Sequence, residues 1–403
     1  MPFAFRPPPR HSLRGLFTPE DLATQRTFFA SRPDLQPTPC LRLPALAAEL
    51  GLAELLVKDE TARFGLNAFK TAGTTFAVHS LRTRGEVRAG DVLTCASEGN
   101  HGRAVARAAR DAGCSAQIYM GADALAARVA AIESEGAAVV RVPGGYDAAV
   151  RAMARDAEVN GWTVISDTSS AGREEIPWLI MLGYTRLMDE AAATWQPGPA
   201  PDVILVQAGV GGLLGAVASW AHCAYGVARP KIVAVEPVSA ACVLESARHG
   251  KPTTLDGPFE TVLAGLRCGE MSPMAFPAIQ SLVDAYVAVE DAWAFEAVKV
   301  LATPAPGDPP VRAGASGAAA LAGLLAILAD PALSAVRDYL RLPALSGVEG
   351  PALSGAVEGP GMRALVLVSE GVTDPAGFDE AFSRPWHPLS HKRTPDARSQ
   401  GTF

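Results

Sequence analysis

Short, near-continuous apolar runs that alternate with Ala-rich stretches constrain this chain more than any other feature. From about residue 55 onward the runs LLVKDE, VLTCAS, SAQIYM, AAVVRV, WTVIS, DVILVQAG, KIVAVEP, AYVAVE and ALVLVSEG recur, rich in Val and Ile. Runs of this kind lack polar alternation, so both faces of each strand must be covered. The intervening helical stretches supply the cover, which predicts an α/β fold of two parallel-type open sheets between helices. At 403 residues the chain is long enough for two sizeable cores. Residues 1–45 are Pro-rich and read as an irregular strap over the main body. WQPGPAPD, from Trp195 to Asp202, reads as a linker or inter-element loop. The near-tandem PALSGVEG (343–350) and PALSGAVEG (351–359) is echoed by PALSAV at 331–336. Its few short copies argue against a solenoid, so 331–360 reads as a flexible Pro/Gly/Ser-rich surface loop with no catalytic role.

The balance of residues narrows the function. Hydrophobic content is 49% and charged content 19%, which suits a tightly packed enzyme. A net charge of −7 argues against nucleic acid or an anionic membrane as partner. The N-terminal MPFAFRPPPRHSLRG lacks the apolar core and cleavage site of a secretory signal, and no uncharged apolar run reaches ~18 residues. A soluble, cytoplasmic protein is therefore expected. Cysteines 40, 95, 114, 223, 242 and 268 show no CxxC spacing and read as small buried hydrophobes, with a Cys242–Cys268 pair left open.

Three segments carry chemistry. In KDETARFGLNAFKTAG (58–73), Lys70 follows Ala68 and Phe69 and is bracketed by Gly65 and Gly73. The plain alternative is a solvated surface charge. A lysine in apolar surroundings, however, is expected to lose solvation of its charged form, which lowers its pKa and frees the amine as nucleophile or base. In DVILVQAGVGGLLGAVASW (202–220), a strand runs through Gly209, Val210, Gly211, Gly212 and Leu213 into an Ala-rich helix. Glycines admit an anion close to the backbone, and the helix start offers N–H donors, so this reads as a phosphate cradle. No lysine follows it, against a Walker A loop. A dinucleotide fold stays open, since the next strand ends in Glu236, although the third glycine, Gly215, comes one position late.

The third segment, LTCASEGNHGRAVARAARDAG (93–113), places Ser97, Glu98, Gly99, Asn100, His101 and Gly102 between strand and helix. A decorated helix cap is the plain alternative. Ligand contacts also concentrate at the carboxyl ends of such strands, and no second metal ligand sits at helical spacing from His101. Asp167 opens DTSSAGREE, Ser369, Glu370 and Gly371 end the last strand, and Gly314 to Gly317 open an apolar helix. No Gly-x-Ser-x-Gly elbow occurs, against a serine hydrolase. A reactive lysine, a phosphate cradle without a nucleotide motif, and polar strand ends together point to pyridoxal phosphate, with no metal.

With RFGLNAFK (63–70), SEGNHGRA (97–104), GVGGLLGAV (209–217), LAGLRCGE (263–270) and VSEGVTDPAGF (368–378), the chain resembles the tryptophan-synthase-β family of pyridoxal phosphate enzymes, fold type II, and within it the diaminopropionate ammonia-lyase branch. The resemblance implies an α,β-elimination on 2,3-diaminopropionate giving pyruvate and ammonia. It further implies that Lys70 carries the cofactor and takes the Cα proton of the L-isomer, with Glu98 the base for the D-isomer. Asn100 would contact the ring hydroxyl, 209–213 the phosphate, and Ser369 the pyridine nitrogen. Glu98 stands where the family carries Asp, and Ala315 where it tends to carry an acid. Glu98 and Asp167 together would attract the β-ammonium of a small diamino acid. The resemblance also implies a homodimer, a large domain of 1–83 with 188–403, and a small closing domain of 84–187. Serine/threonine dehydration or β-replacement on the same fold, a nucleotide-dependent oxidoreductase, and a cofactor-binding homologue without catalysis are the alternatives.

Overall fold

The computed structural model describes residues 1–6, 15–97, 99–122, 124–345 and 361–384. Glu98 and residues 346–360 of the expected repeat loop lie outside the described residues. Among the described residues eleven strands form in chain order: β1 (Phe3–Phe5), β2 (Cys40–Arg42), β3 (Glu54–Asp59), β4 (Val92–Ala96), β5 (Ser115–Gly121), β6 (Ala138–Val142), β7 (Thr163–Val164), β8 (Val203–Gln207), β9 (Lys231–Pro237), β10 (Ala285–Val289) and β11 (Arg363–Val368). They make two sheets, of order β1-β10-β9-β8-β11-β3-β2 and β6-β5-β4-β7. The smaller sheet is parallel throughout, and so is the centre of the larger one. Both edges of the larger sheet are antiparallel, β1 against β10 and β2 against β3.

All nine apolar runs become strands, and β1 and β2 are the two that the sequence pattern hides. Neither belongs to an extended Val- or Ile-rich run: FAF lies between Pro2 and Pro7, and CLR between Pro39 and Pro44. They also correct the strap expected over 1–45, which contains a helix as well, Pro19–Ala30. That helix starts on a capping box: Asp21 N–H donates to Thr18 Oγ1 at 3.2 Å, and Thr18 N–H to Asp21 Oδ2 at 2.8 Å. A second correction falls on 331–360, because Pro331–Leu333 and Ser334–Leu340 are helical. There Asp330 caps the turn by accepting from Ala332 N–H at 2.8 Å, and Val336 and Leu340 are buried against the core.

Helices cover both faces of the larger sheet, so it has a core on each side. On one face lies Ala315–Ala329, apolar all round, with every residue from Ser316 onward buried. Its Gly323 rides so close to β9 that a Cβ there would stand 2.4 Å from Val235 Cγ2. On the other face lie Lys70–Thr83, Glu175–Tyr184 and Gly212–Tyr225. The first two touch through glycines: a Cβ on Gly73 would stand 2.6 Å from the Ile180 carbonyl oxygen, and one on Gly183 2.8 Å from that of Ala72. This close crossing fixes where Lys70 begins its helix. The carboxyl ends of β8 and β11 in one sheet, and of β4 and β7 in the other, open onto one shared cleft.

Candidate active site

The segment leading to Lys70 is stitched to the end of the last strand. Phe69 N–H donates to Ser369 O at 3.0 Å, Gly371 N–H donates to Asn67 O at 2.8 Å, and Ala68 bridges Glu370. Beneath that turn lies a buried ionic cluster. Arg63 Nε donates to Glu60 Oε2 at 2.6 Å and Arg63 Nη1 to Glu190 Oε1 at 2.8 Å, while Lys58 Nζ reaches Glu190 Oε2 at 2.8 Å. Lys58, Glu60 and Arg63 are fully buried, and each charge has an opposite partner. The cluster holds Phe64 at a φ of 50°, the left-handed turn that redirects the chain toward Lys70.

Lys70 is the first residue of its helix, and its Nζ donates to Asp167 Oδ2 at 2.5 Å. The rings of Phe69 and Tyr184 stand 5.1 and 6.0 Å from the same nitrogen. Burial works to lower the amine's pKa, as the apolar neighbours suggest, but the Asp167 carboxylate outweighs it and holds the amine above its ordinary value. The expected depression of Lys70 is thereby corrected: here it is a tightly paired ammonium. Asp167 follows β7. Burial opposes its charge, yet Lys70 and His101 hold its carboxyl well below the usual carboxylate range. It does not cap a helix; the next helix begins at Glu175.

The 209–213 segment leaves β8 and enters the helix Gly212–Tyr225, whose start carries no side-chain cap. Gly211 has a φ of +89°, and a Cβ there would stand 2.8 Å from Ile279 Cδ1. A Cβ on Gly209 would come within 3.0 Å of Cys268 Sγ. Gly209, Val210, Gly211, Gly212 and Leu213 all line the cleft, so N–H groups of an uncapped helix start face open space. Glu236, the residue that kept a dinucleotide reading open, points elsewhere. It is buried and accepts from Val243 N–H at 2.8 Å and Leu244 N–H at 2.7 Å, capping the helix Cys242–His249. Cys242 and Cys268 are free thiols.

Ser369 lies beyond β11, and its Oγ accepts from Gln207 Nε2 at 2.6 Å. Gln207 also donates to Gly317 O at 3.2 Å and so spans β8, β11 and the start of the helix Ala315–Ala329. Asn100 opens the helix Asn100–Asp111, and its amide donates to the Glu370 carboxylate. Burial pushes the Glu370 carboxyl up, against the pull of Asn100, Arg128, Ser316 and Lys70. Glu370, within VSEGVTDPAGF, and Gln207, within DVILVQAGVGG, are contributors whose motifs assigned them no role. Gln207 does leave a trace, as the polar last residue of the otherwise apolar run VILVQ.

The cleft between the sheets encloses about 1890 Å³ and joins Lys70, Asn100, Asp167, 209–213 and Ser369. These residues fit pyridoxal phosphate: an amine for its aldehyde, a glycine-rich uncapped helix start for its phosphate, and a buried serine hydroxyl on the cleft. Two buried polar atoms of cleft-lining residues, Gln207 Oε1 and Tyr184 Oη, have no partner, as expected of a place built for a polar guest.

Comparison with known proteins agrees with this chemistry. Residues 32–335 match the family model described as pyridoxal-phosphate dependent enzyme, and the chain belongs to that family. Among curated relatives, diaminopropionate ammonia-lyase of Escherichia coli strain K12 is 34% identical over 343 residues, 81% of this chain and 86% of the relative. That of Salmonella typhimurium is 33% identical over 377 residues, 88% of this chain and 89% of the relative. A crystal structure of the Escherichia coli enzyme in complex with an aminoacrylate-PLP azomethine reaction intermediate superposes with a TM-score of 0.83 at 31% identity. The match covers 94% of this chain and 96% of that one. The two-sheet α/β fold and the cofactor expected from sequence are both correct.

Proposed function

We propose that this protein is an ammonia-lyase that eliminates ammonia from 2,3-diaminopropionate with pyridoxal phosphate as cofactor, yielding pyruvate and a second ammonia. The observation that carries the reading is the Lys70–Asp167 contact, set in one cleft with the uncapped glycine cradle at 209–213. The near full-length likeness to diaminopropionate ammonia-lyases supports it. Bound at Lys70, the cofactor supplies the electron sink for Cα deprotonation. Lys70 Nζ would hold the cofactor and accept the Cα proton of the L-isomer, with Glu98 as the base for the D-isomer. The N–H groups of 209–213 would hold the phosphate, Asn100 would serve the ring hydroxyl, and Ser369, aligned by Gln207, would serve the pyridine nitrogen.

Substrate choice follows from charge. Asp167 and Glu370 place carboxyl groups on the cleft, and a β-ammonium gains from both where a β-hydroxyl would not. The residues 84–187 act as the small domain that closes over substrate and excludes water. The working form is a cytoplasmic homodimer. Among the described residues no single helix is long and apolar enough to cross a membrane. Pyruvate formation from diaminopropionate, serine and threonine, compared side by side, tests the assignment. Diaminopropionate should lead by at least tenfold in kcat/KM, and a lead by serine or threonine would make the protein a dehydratase instead.

A further inference from the structure

His101 is 7% exposed and sits one residue into the helix Asn100–Asp111. Its Nε2 lies 2.8 Å from the Ile165 carbonyl oxygen, which can only accept, so Nε2 carries a proton. Its Nδ1 has no hydrogen-bond partner and points at Asp167 Oδ2 from 3.7 Å. That is the same oxygen that Lys70 Nζ contacts from the other side at 2.5 Å. A neutral imidazole in this tautomer aims a lone pair at a carboxylate, an arrangement a satisfied core histidine would avoid. It becomes favourable once Nδ1 bears a proton.

We propose that His101 is the proton reservoir of the site: when Lys70 gives up its ammonium proton to bond the cofactor, His101 Nδ1 takes that proton and becomes the cation that Asp167 pairs with. This rests on the reading of Lys70 as the cofactor-bearing amine. One N–H bond breaks at Nζ and one forms at Nδ1. An ammonium, a carboxylate and a neutral imidazole become a neutral amine, a carboxylate and an imidazolium. The charge changes sides of Asp167 and never leaves it, so the partly buried carboxylate is never left without a counter-ion. The titratable groups acting on His101 are Asp167, from the segment after β7, and Lys70, from the helix Lys70–Thr83. Burial keeps the imidazole below its ordinary value, Lys70's charge adds to that, and Asp167 opposes both. Neutralising Lys70 removes one of the two opposing influences and leaves the favourable one.

NMR of histidine-labelled protein tests this, with the His101 signals identified by their loss in His101→Gln. Gln keeps a donor for the Ile165 carbonyl and has no titratable nitrogen. In cofactor-free wild type, His101 should remain neutral with its proton on Nε2 at neutral pH. In Lys70→Met its midpoint should rise by about one pH unit or more, and Lys70→Met with Asp167→Asn should cancel the rise. An unchanged midpoint in Lys70→Met overturns the proposal. Should Lys70→Met fail to fold, proton release on adding pyridoxal phosphate to cofactor-free protein decides: His101→Gln should release one proton more than wild type, and equal release overturns the idea. The Lys70→Met arm contains no cofactor. It therefore judges His101 even if absorbance were to show that the cofactor does not attach at Lys70.

Discussion

Gln207 Nε2 donates to Ser369 Oγ at 2.6 Å, although 162 residues separate them in the chain. Because Gln207 uses a lone pair of Oγ, the Ser369 proton is free to turn into the cleft. Gln207→Leu removes that alignment at a site 3% exposed. Loss of one such buried hydrogen bond is worth about 1–2 kcal/mol, so pyridoxal phosphate should bind roughly 5- to 30-fold more weakly, as an absorbance titration of the cofactor-free protein would read. Unaltered affinity would remove Gln207 from the site.

Gly211→Ala tests the cradle. The φ of +89° and a Cβ 2.8 Å from Ile279 Cδ1 both oppose any side chain. The strain should cost about 1–3 kcal/mol, seen as a lower Tm, and cofactor affinity should fall with it. Gly172 also has a positive φ, of +76°, with nothing within 4 Å of a Cβ, so Gly172→Ala controls for backbone strain without crowding.

The Lys70–Asp167 pair gives the cofactor-free protein a defined pH window. Asp167 titrates lower in the folded state than its ordinary 3.8, so its contribution is complete above that value and disappears as pH falls further. Lys70 titrates higher than its ordinary 10.5, so its contribution is complete below that value and disappears as pH rises beyond it. Asp167→Asn should lower stability between these limits by about 1–3 kcal/mol, the pair being one-fifth exposed. As pH falls below 3.8 the gap between the variant and wild type should narrow steadily, in urea melts taken across the range.

Glu190 faces both Lys58 and Arg63 in the buried cluster. Glu190→Ala strands one buried positive charge and should cost about 3–5 kcal/mol, visible as a large drop in Tm. The turn at Phe64 rests on the same cluster, so the surviving folded protein should also hold pyridoxal phosphate less tightly. A variant as stable as wild type would show that Glu60 alone compensates both cations.

Glu98→Gln should lower kcat/KM for D-diaminopropionate at least 100-fold while leaving the L-isomer within about tenfold, as loss of a general base predicts. Separate assays with each isomer read this directly. Equal losses on both would take the D-isomer role away from Glu98.

Much of this protein is legible in its sequence, because the features concerned are local. Val- and Ile-rich apolar runs marked nine of the strands, β3 to β11, since a strand buried on both faces needs no partner's identity to be apolar. The glycines at 209, 211 and 212 marked the cradle, since close approach and positive φ are backbone requirements of those positions alone. Lys70 stood out for the same reason, through its immediate neighbours. The helix at Pro19–Ala30 was missed: the prolines around it suggested an irregular strap, although Thr18 and Asp21 form its capping box.

What only the tertiary structure decided is which polar groups meet. Asp167 is 97 residues from Lys70, and it reverses the direction in which Lys70's pKa moves. Glu370 is 270 residues from Asn100, yet its carboxylate accepts that amide's hydrogen bond. His101 looks like part of a helix cap until Asp167 appears opposite its unpaired nitrogen. A sequence specifies where each strand ends, but the order in which strands lie side by side determines which ends share a cleft. Charge states depend on distances of a few ångströms across that cleft, and those distances exist only once both sheets are in place.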